Sequence, residues 1–199
     1  MHPYSTNESR VGIYSTMAII AVVCAWSITT LTSRYSWPEW LVSAPSLAAV
    51  FTLLFHVFDR YLWRWPVLSR MGVVGIPDSS GTYEGKLSST FRDIAGQSVQ
   101  RDVVLRVRQT WTHMKVEMEV ASGTSTSVST SALGSVQSDG SATCLTYVYA
   151  NRVNPALADS DMGDHGGTAE LRIYADGRFN GRYYNSRPRA GTIQGLKKS

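Results

Sequence analysis

Hydrophobic and polar positions follow two different rules along this chain. Up to about residue 60 apolar residues run on almost continuously, and from residue 81 onward they alternate with polar ones. Residues 11–33 carry no charge over 23 positions, and residues 40–58 carry none over 19. A hydrocarbon core of ~30 Å takes roughly 20 apolar residues of helix. Neither stretch holds an Asp or Glu, which are costly at mid-membrane. The pattern predicts two transmembrane helices, at about 11–33 and 40–60. The first is too long for the apolar part of a secretory signal peptide, and a second follows almost at once. The second contains Pro45 and His56, and a buried core helix is its alternative. Trp37 and Trp40 before it, with Tyr61, Trp63 and Trp65 after it, favour a span, because amphipathic rings collect at the headgroup level.

Basic residues set the orientation. The linker between the two stretches carries Arg34, whereas Arg60, Arg64 and Arg70 follow the second and Arg10 precedes the first. The excess of Arg belongs on the cytoplasmic side. The expectation is an in–out hairpin formed by residues 1–70, the N-terminal tail included. Residues 71–199 then form a domain on the cytoplasmic side.

The joint RMGVVGIPDSSG, punctuated by Gly72, Gly75, Pro77 and Gly81, marks the change of rule. Beyond it, Val103, Leu105 and Val107 alternate with Val104, Arg106 and Arg108, and Met114, Val116, Met118 and Val120 with Lys115, Glu117 and Glu119. This is the period of half-buried antiparallel strands. Strands are expected at about 82–92, 101–110, 112–121, 124–136, 142–151, 167–175, 178–186 and 189–196. Turn signals separate most of them, with Asp176-Gly177 the strongest hairpin signal. The fold class is all-β: a small eight-stranded antiparallel up-and-down barrel after two transmembrane helices, with a sandwich as the alternative. Outward Arg, Lys and Glu exclude an outer-membrane barrel.

Parity from residues that must be buried turns Tyr83, Gly85 and Leu87 inward, with Leu105, Val107 and Gln109, then Leu145, Tyr147, Tyr149 and Asn151. Ala169, Leu171, Ile173, Phe179, Gly181, Tyr183 and Asn185 follow. Up-and-down topology gathers Ser125, Ser127, Tyr149, Asn151, His165, Thr168, Asn185 and Arg187 at one rim. Tyr83, Gln109 and Trp111 fall at the other and form the alternative site. Aromatic, amide, hydroxyl and guanidinium groups together suit a planar anionic heterocycle: rings stack, amides read base edges and Arg forks onto phosphate.

Chemistry elsewhere is sparse. There is no nucleophile elbow, Walker loop, HExxH or CxxC, so no enzyme is expected. Asp159, Asp161, Asp164 and His165 lack the Gly and closing Glu of a Ca²⁺ loop and read as a solvated loop, with no metal site. Cys24 lies in the first span and Cys144 in the β domain, so no disulfide framework is expected. Residues 71–199 hold 14 basic and 12 acidic groups, a balance that excludes the basic stripe of a long nucleic-acid binder.

The chain resembles the membrane-anchored β-barrel effectors of CBASS, the bacterial cyclic-oligonucleotide anti-phage system. The resemblance rests on the two-helix anchor followed by GTYEG at 81–85, RQTW at 108–111, STSVSTS at 125–131, YVYAN at 147–151, DHGGTAEL at 164–171 and GRYYNSR at 181–187. It implies residence in the bacterial inner membrane and no cofactor. It implies a cyclic dinucleotide as ligand, made by a nucleotide cyclase on infection. Self-association in the lipid, loss of membrane integrity and death of the cell before the phage matures would follow. The residues alone leave two other readings open: a barrel for an apolar small molecule, or a membrane module that recruits a protein partner.

Overall fold

The computed structural model describes residues 1–7, 9–35, 47–92, 96–136, 141–157, 163–187 and 189–198. The chain divides into two units, Glu8–Val74 and a second built from Met1–Asn7 with Gly75–Ser199.

The first unit is helical. Helix α1, Val11–Arg34, has 24 residues and a mean hydropathy of 2.0 over its most apolar stretch. Its hydroxyls fold back on their own helix: Thr16 donates to the Gly12 carbonyl, Ser27 to Val23, Thr29 to Ala25 and Thr30 to Trp26, all at 2.8–2.9 Å. A helix with its side-chain donors satisfied internally is suited to an apolar solvent. Among the described residues it is the one helix long and apolar enough to cross a membrane. The second expected span is a partial correction. Its described portion is helix α2, Leu47–Arg60, of 14 residues, and roughly 21 Å of helix falls short of a bilayer core. Residues 40–46 of that span lie outside the described residues, as do Trp37, Trp40 and Pro45. A 3₁₀ turn, Leu62–Arg64, and helix α3, Pro66–Arg70, which opens on a proline, complete the unit.

The second unit is a closed barrel. Strands β2 (Gly81–Arg92), β3 (Ser98–Gln109), β4 (His113–Val120), β5 (Ser125–Val136), β6 (Ala142–Val153), β7 (His165–Tyr174), β8 (Arg178–Asn185) and β9 (Ala190–Lys197) follow the expected up-and-down order. Each pairs antiparallel with the next, and β2 with β9 closes the ring. The expected count of eight is corrected to nine. Residues His2–Thr6 form β1, which lies between β4 and β5. The all-antiparallel expectation is corrected too: β1 runs antiparallel to β4 but parallel to β5. The sequence HPYST has no alternating run and includes Pro3, so period-two reasoning had no signal there.

Parity holds through the barrel. Leu105, Leu145 and Leu171 are fully buried, with Tyr83, Val107, Tyr147, Tyr149, Phe179 and Ile193 packed around them. A bulge between Ser129 and Ser131 resets β5, so that Ser125, Ser127 and Ser129 point inward before it and Gly134 after it. Several large inward rings fit because glycines face them across the ladder. Tyr149 pairs with Gly167, Tyr183 with Gly191 and Phe179 with Gly195.

Candidate ligand-binding site

The two rims differ in how their polar groups are spent. At the rim formed by the starts of β2, β4 and β8, segment 75–80 is bonded across the end of the barrel. The Ser79 N–H donates to Gln109 Oε1 at 2.9 Å, and Tyr83 OH donates to the Ser79 carbonyl at 2.9 Å. Gln109 Nε2 donates to Tyr4 OH at 3.1 Å and to the Pro77 carbonyl at 3.5 Å. The Gln109 N–H donates to Ser80 Oγ at 3.1 Å. Trp111 is buried there. Burial and Asp78 push the Tyr83 phenol up to about 12, so it is a neutral donor. Each group of Tyr83 and Gln109 already serves the fold.

At the opposite rim, cross-strand register builds two rows. Ser127 pairs with Asn151 and Asn151 with His165; Ser129 pairs with Tyr149, Tyr149 with Gly167, and Gly167 with Asn185. Ser127 Oγ donates to Asn151 Oδ1 at 2.8 Å. His165 Nδ1 lies 3.1 Å from the Gly163 carbonyl and 3.5 Å from Asn151 Nδ2. A protonated Nδ1 serves the nearer carbonyl and leaves Nε2 as an acceptor. Tyr149 OH makes a long bond, 3.4 Å, to the Tyr184 carbonyl. Burial, with Tyr183 beside it, pushes the Tyr149 phenol up to about 12. The buried Asn185 Oδ1 has no hydrogen-bond partner among the described residues, a cost that native structures rarely bear without use. Arg187 lies against Gly163, where an added Cβ would sit 2.6 Å from Nη2. Asp164 Oδ1 accepts the Val153 N–H at 2.9 Å and ties the loop to the end of β6.

Ser125, Ser127, Tyr149, Asn151, His165, Asn185 and Arg187 thus share one end of the barrel. Thr168 does not join them. It alternates with inward Ala169, is exposed, and pairs with exposed Tyr184 on the outer wall. Three further residues at this rim escaped the sequence reading. Arg189 lies over the Phe91 ring, 4.1 Å from its centroid, and Arg92 donates to the Gly96 carbonyl at 2.9 Å. The end of β2 and the start of β9 reach this rim by the same up-and-down rule, so topology was the signal that could have found them. Asp159 and Asp161 lie outside the described residues, and among the described residues no group of three or more His, Cys, Asp or Glu could hold a metal. A groove of about 400 Å³ lies elsewhere, on the outer wall of β7, β8 and β9, lined by side chains such as Glu170, Arg172 and Arg182.

Against this geometry, the family model of "Cap15, cyclic dinucleotide receptor domain" matches residues 74–197. The chain belongs to this family. The matched stretch takes in all of β2 to β9 and therefore both rims. The resemblance to CBASS effectors holds, and the Cap15 domain is a receptor for cyclic dinucleotides. No curated protein matches the chain.

Proposed function

We propose that this Cap15-domain protein is a non-catalytic, membrane-anchored receptor that takes a cyclic dinucleotide at the rim holding Tyr149, Asn151, His165, Asn185 and Arg187. Binding there promotes self-association in the bacterial inner membrane and loss of membrane integrity during phage infection. The single observation that carries the choice of rim is the contrast between the two ends. Polar groups of Tyr83 and Gln109 are bonded to segment 75–80, whereas the opposite rim holds Arg187 and Arg189 and a buried Asn185 Oδ1 with no partner among the described residues. Arg187 and Arg189 suit the two phosphates by charge-assisted, forked bonds. Asn151, His165 and Asn185 suit base edges, and Tyr149 offers a ring face. The middle of the barrel is filled by Leu105, Leu145, Leu171 and Phe179, which speaks against an apolar ligand inside it.

Strand β1 bears on the topology. Residues 1–7 belong to the same barrel as residues 75–199. Both ends of segment 8–74 therefore leave from one side of a membrane, and a crossing by α1 requires a return. The uncharged run of residues 40–58 has the composition and length for that return, which supports reading the anchor as a hairpin. The Arg excess after it supports a cytoplasmic barrel. The test is calorimetry on the full chain in lipid nanodiscs against cyclic di-AMP, cyclic di-GMP, cyclic GMP–AMP and cyclic UMP–AMP. Saturable heat with one or more is expected, and silence from all would refute the receptor reading. For orientation, a C-terminal alkaline phosphatase fusion should be inactive and a fluorescent-protein fusion bright.

A further inference from the structure

Strand β4 and strand β5 are direct partners at only three positions, where Glu117, Met118 and Glu119 face Val128, Ser127 and Thr126. Past the bulge at Ser129 and Ser131 the two strands part. Ser129 Oγ sits at the apex of the split. It accepts the Val116 N–H at 2.9 Å, in place of a ladder carbonyl, and meets His2 Nε2 at 2.7 Å. Below the apex β1 fills the gap, with His2 and Pro3 opposite Met114 and His113, and Tyr4, Ser5 and Thr6 opposite Ala132, Leu133 and Gly134.

We propose that this cleft is a self-association surface whose partner is the β1 strand of a second copy of the chain. The proposal rests on the self-association reading above and gives it a structural route. Three features carry it. The strand has five residues, and its longer pairing is parallel, the less stable kind. Its one buried hydrophobic side chain is Tyr4, which packs on Gly134 and accepts from Gln109. Opening it gives up the Tyr4 and His2 bonds, all of which re-form in the identical cleft of a second copy. The strand joins α1 through residues 7–10 alone, and short hinges favour exchange.

An exchanged strand keeps every contact it makes in its own barrel, because the receiving cleft is identical; only the hinge differs. A vacated cleft exposes two unpaired strand edges, the template for strand addition. Confinement to a bilayer raises the local concentration of a second copy. Reciprocal exchange closes a dimer. One-way donation leaves a vacated cleft at one end and extends the assembly.

Ser5 and Leu133 are register partners, and both are exposed. The experiment uses the full chain in membranes with Cys24→Ala and Cys144→Ala. Copies carrying Ser5→Cys are co-expressed with differently tagged copies carrying Leu133→Cys and oxidised with and without the four cyclic dinucleotides named above. A disulfide-linked heterodimer is expected, and none when Arg178→Cys replaces Leu133→Cys. If the co-expressed copies stay unlinked while a Ser5→Cys/Leu133→Cys chain closes within itself, exchange is overturned. Absence of a disulfide in both formats also overturns it, since β1 is then not beside β5. Amine-reactive cross-linking of the parent chain reads self-association separately. Oligomers without the heterodimer overturn exchange alone, and no oligomers overturn both.

Discussion

Tyr149 lies across the Cα of Gly167, its partner in the neighbouring strand: a Cβ at residue 167 would sit 2.5 Å from the phenolic oxygen and closer still to the Tyr184 carbonyl. The ring occupies the space a side chain would need, which is how an aromatic is held at a crowded barrel end. Gly167→Ala should therefore displace both Tyr149 and the Tyr184 backbone that its phenol bonds. Overpacking of this kind costs about 1–3 kcal/mol. Denaturant midpoints should fall and cyclic dinucleotide titrations should weaken together. Gly166→Ala is the control, because its Cβ would meet the Tyr149 carbonyl at 3.4 Å, an ordinary contact.

Arg187→Ala should weaken ligand binding by roughly ten- to a hundredfold, the equivalent of a charge-assisted bond of about 1.5–3 kcal/mol. Arg187→Lys should restore it only in part, since an ammonium lacks the planar fork. Thermal stability should hold in both. Arg178, in an exposed pair with Asp176 at the other rim, is the comparison. Equal affinities for Arg187→Ala and Arg178→Ala would remove the site from this rim.

Gln109→Ala should destabilise the barrel by about 1–3 kcal/mol, because it strands the buried Ser79 N–H and removes the amide that donates to Tyr4 OH. Chemical denaturation measures this. The folded fraction should bind ligand with unchanged affinity. A folded Gln109→Ala protein that no longer binds would place the site at the sealed rim.

Alkaline pH should unfold the barrel progressively. The Tyr83 and Tyr149 phenols ordinarily titrate at 10.0 and are pushed up to about 12, burial being the main cause in each. Above pH 10 an unfolded chain releases these protons while the folded barrel retains them, so the unfolded state binds fewer and stability falls as pH rises. The contribution is whole below pH 10 and is lost as pH climbs through about 12. Tyr83→Phe and Tyr149→Phe should each flatten the decline in melting temperature over that window.

The inward set was legible because parity is local. Once Leu145 and Phe179 must be buried, positions at steps of two along the same strand share their face, which put Tyr149 and Asn151 inside from the first and Asn185 from the second. Parity also predicted that Thr168 would face out, and grouping it with its rim neighbours overlooked that. The Arg189–Phe91 contact joins two strands that close the ring, and no local pattern announces it.

By itself the sequence determined the apolar, uncharged stretch of α1, the period-two strands and the order in which they meet. Each of these follows from the solvent a residue faces and from its immediate neighbours. Only the tertiary structure decided where β1 goes and which rim is sealed. Residues 2–6 carry no alternation, and their place exists only because a bulge at Ser129 and Ser131 parts two strands more than a hundred positions away. Gln109 is bonded shut by Ser79 and Tyr4 because closure of the barrel brings those segments together. Such contacts depend on loop closure over long separations, and that information is not written in any window of the chain.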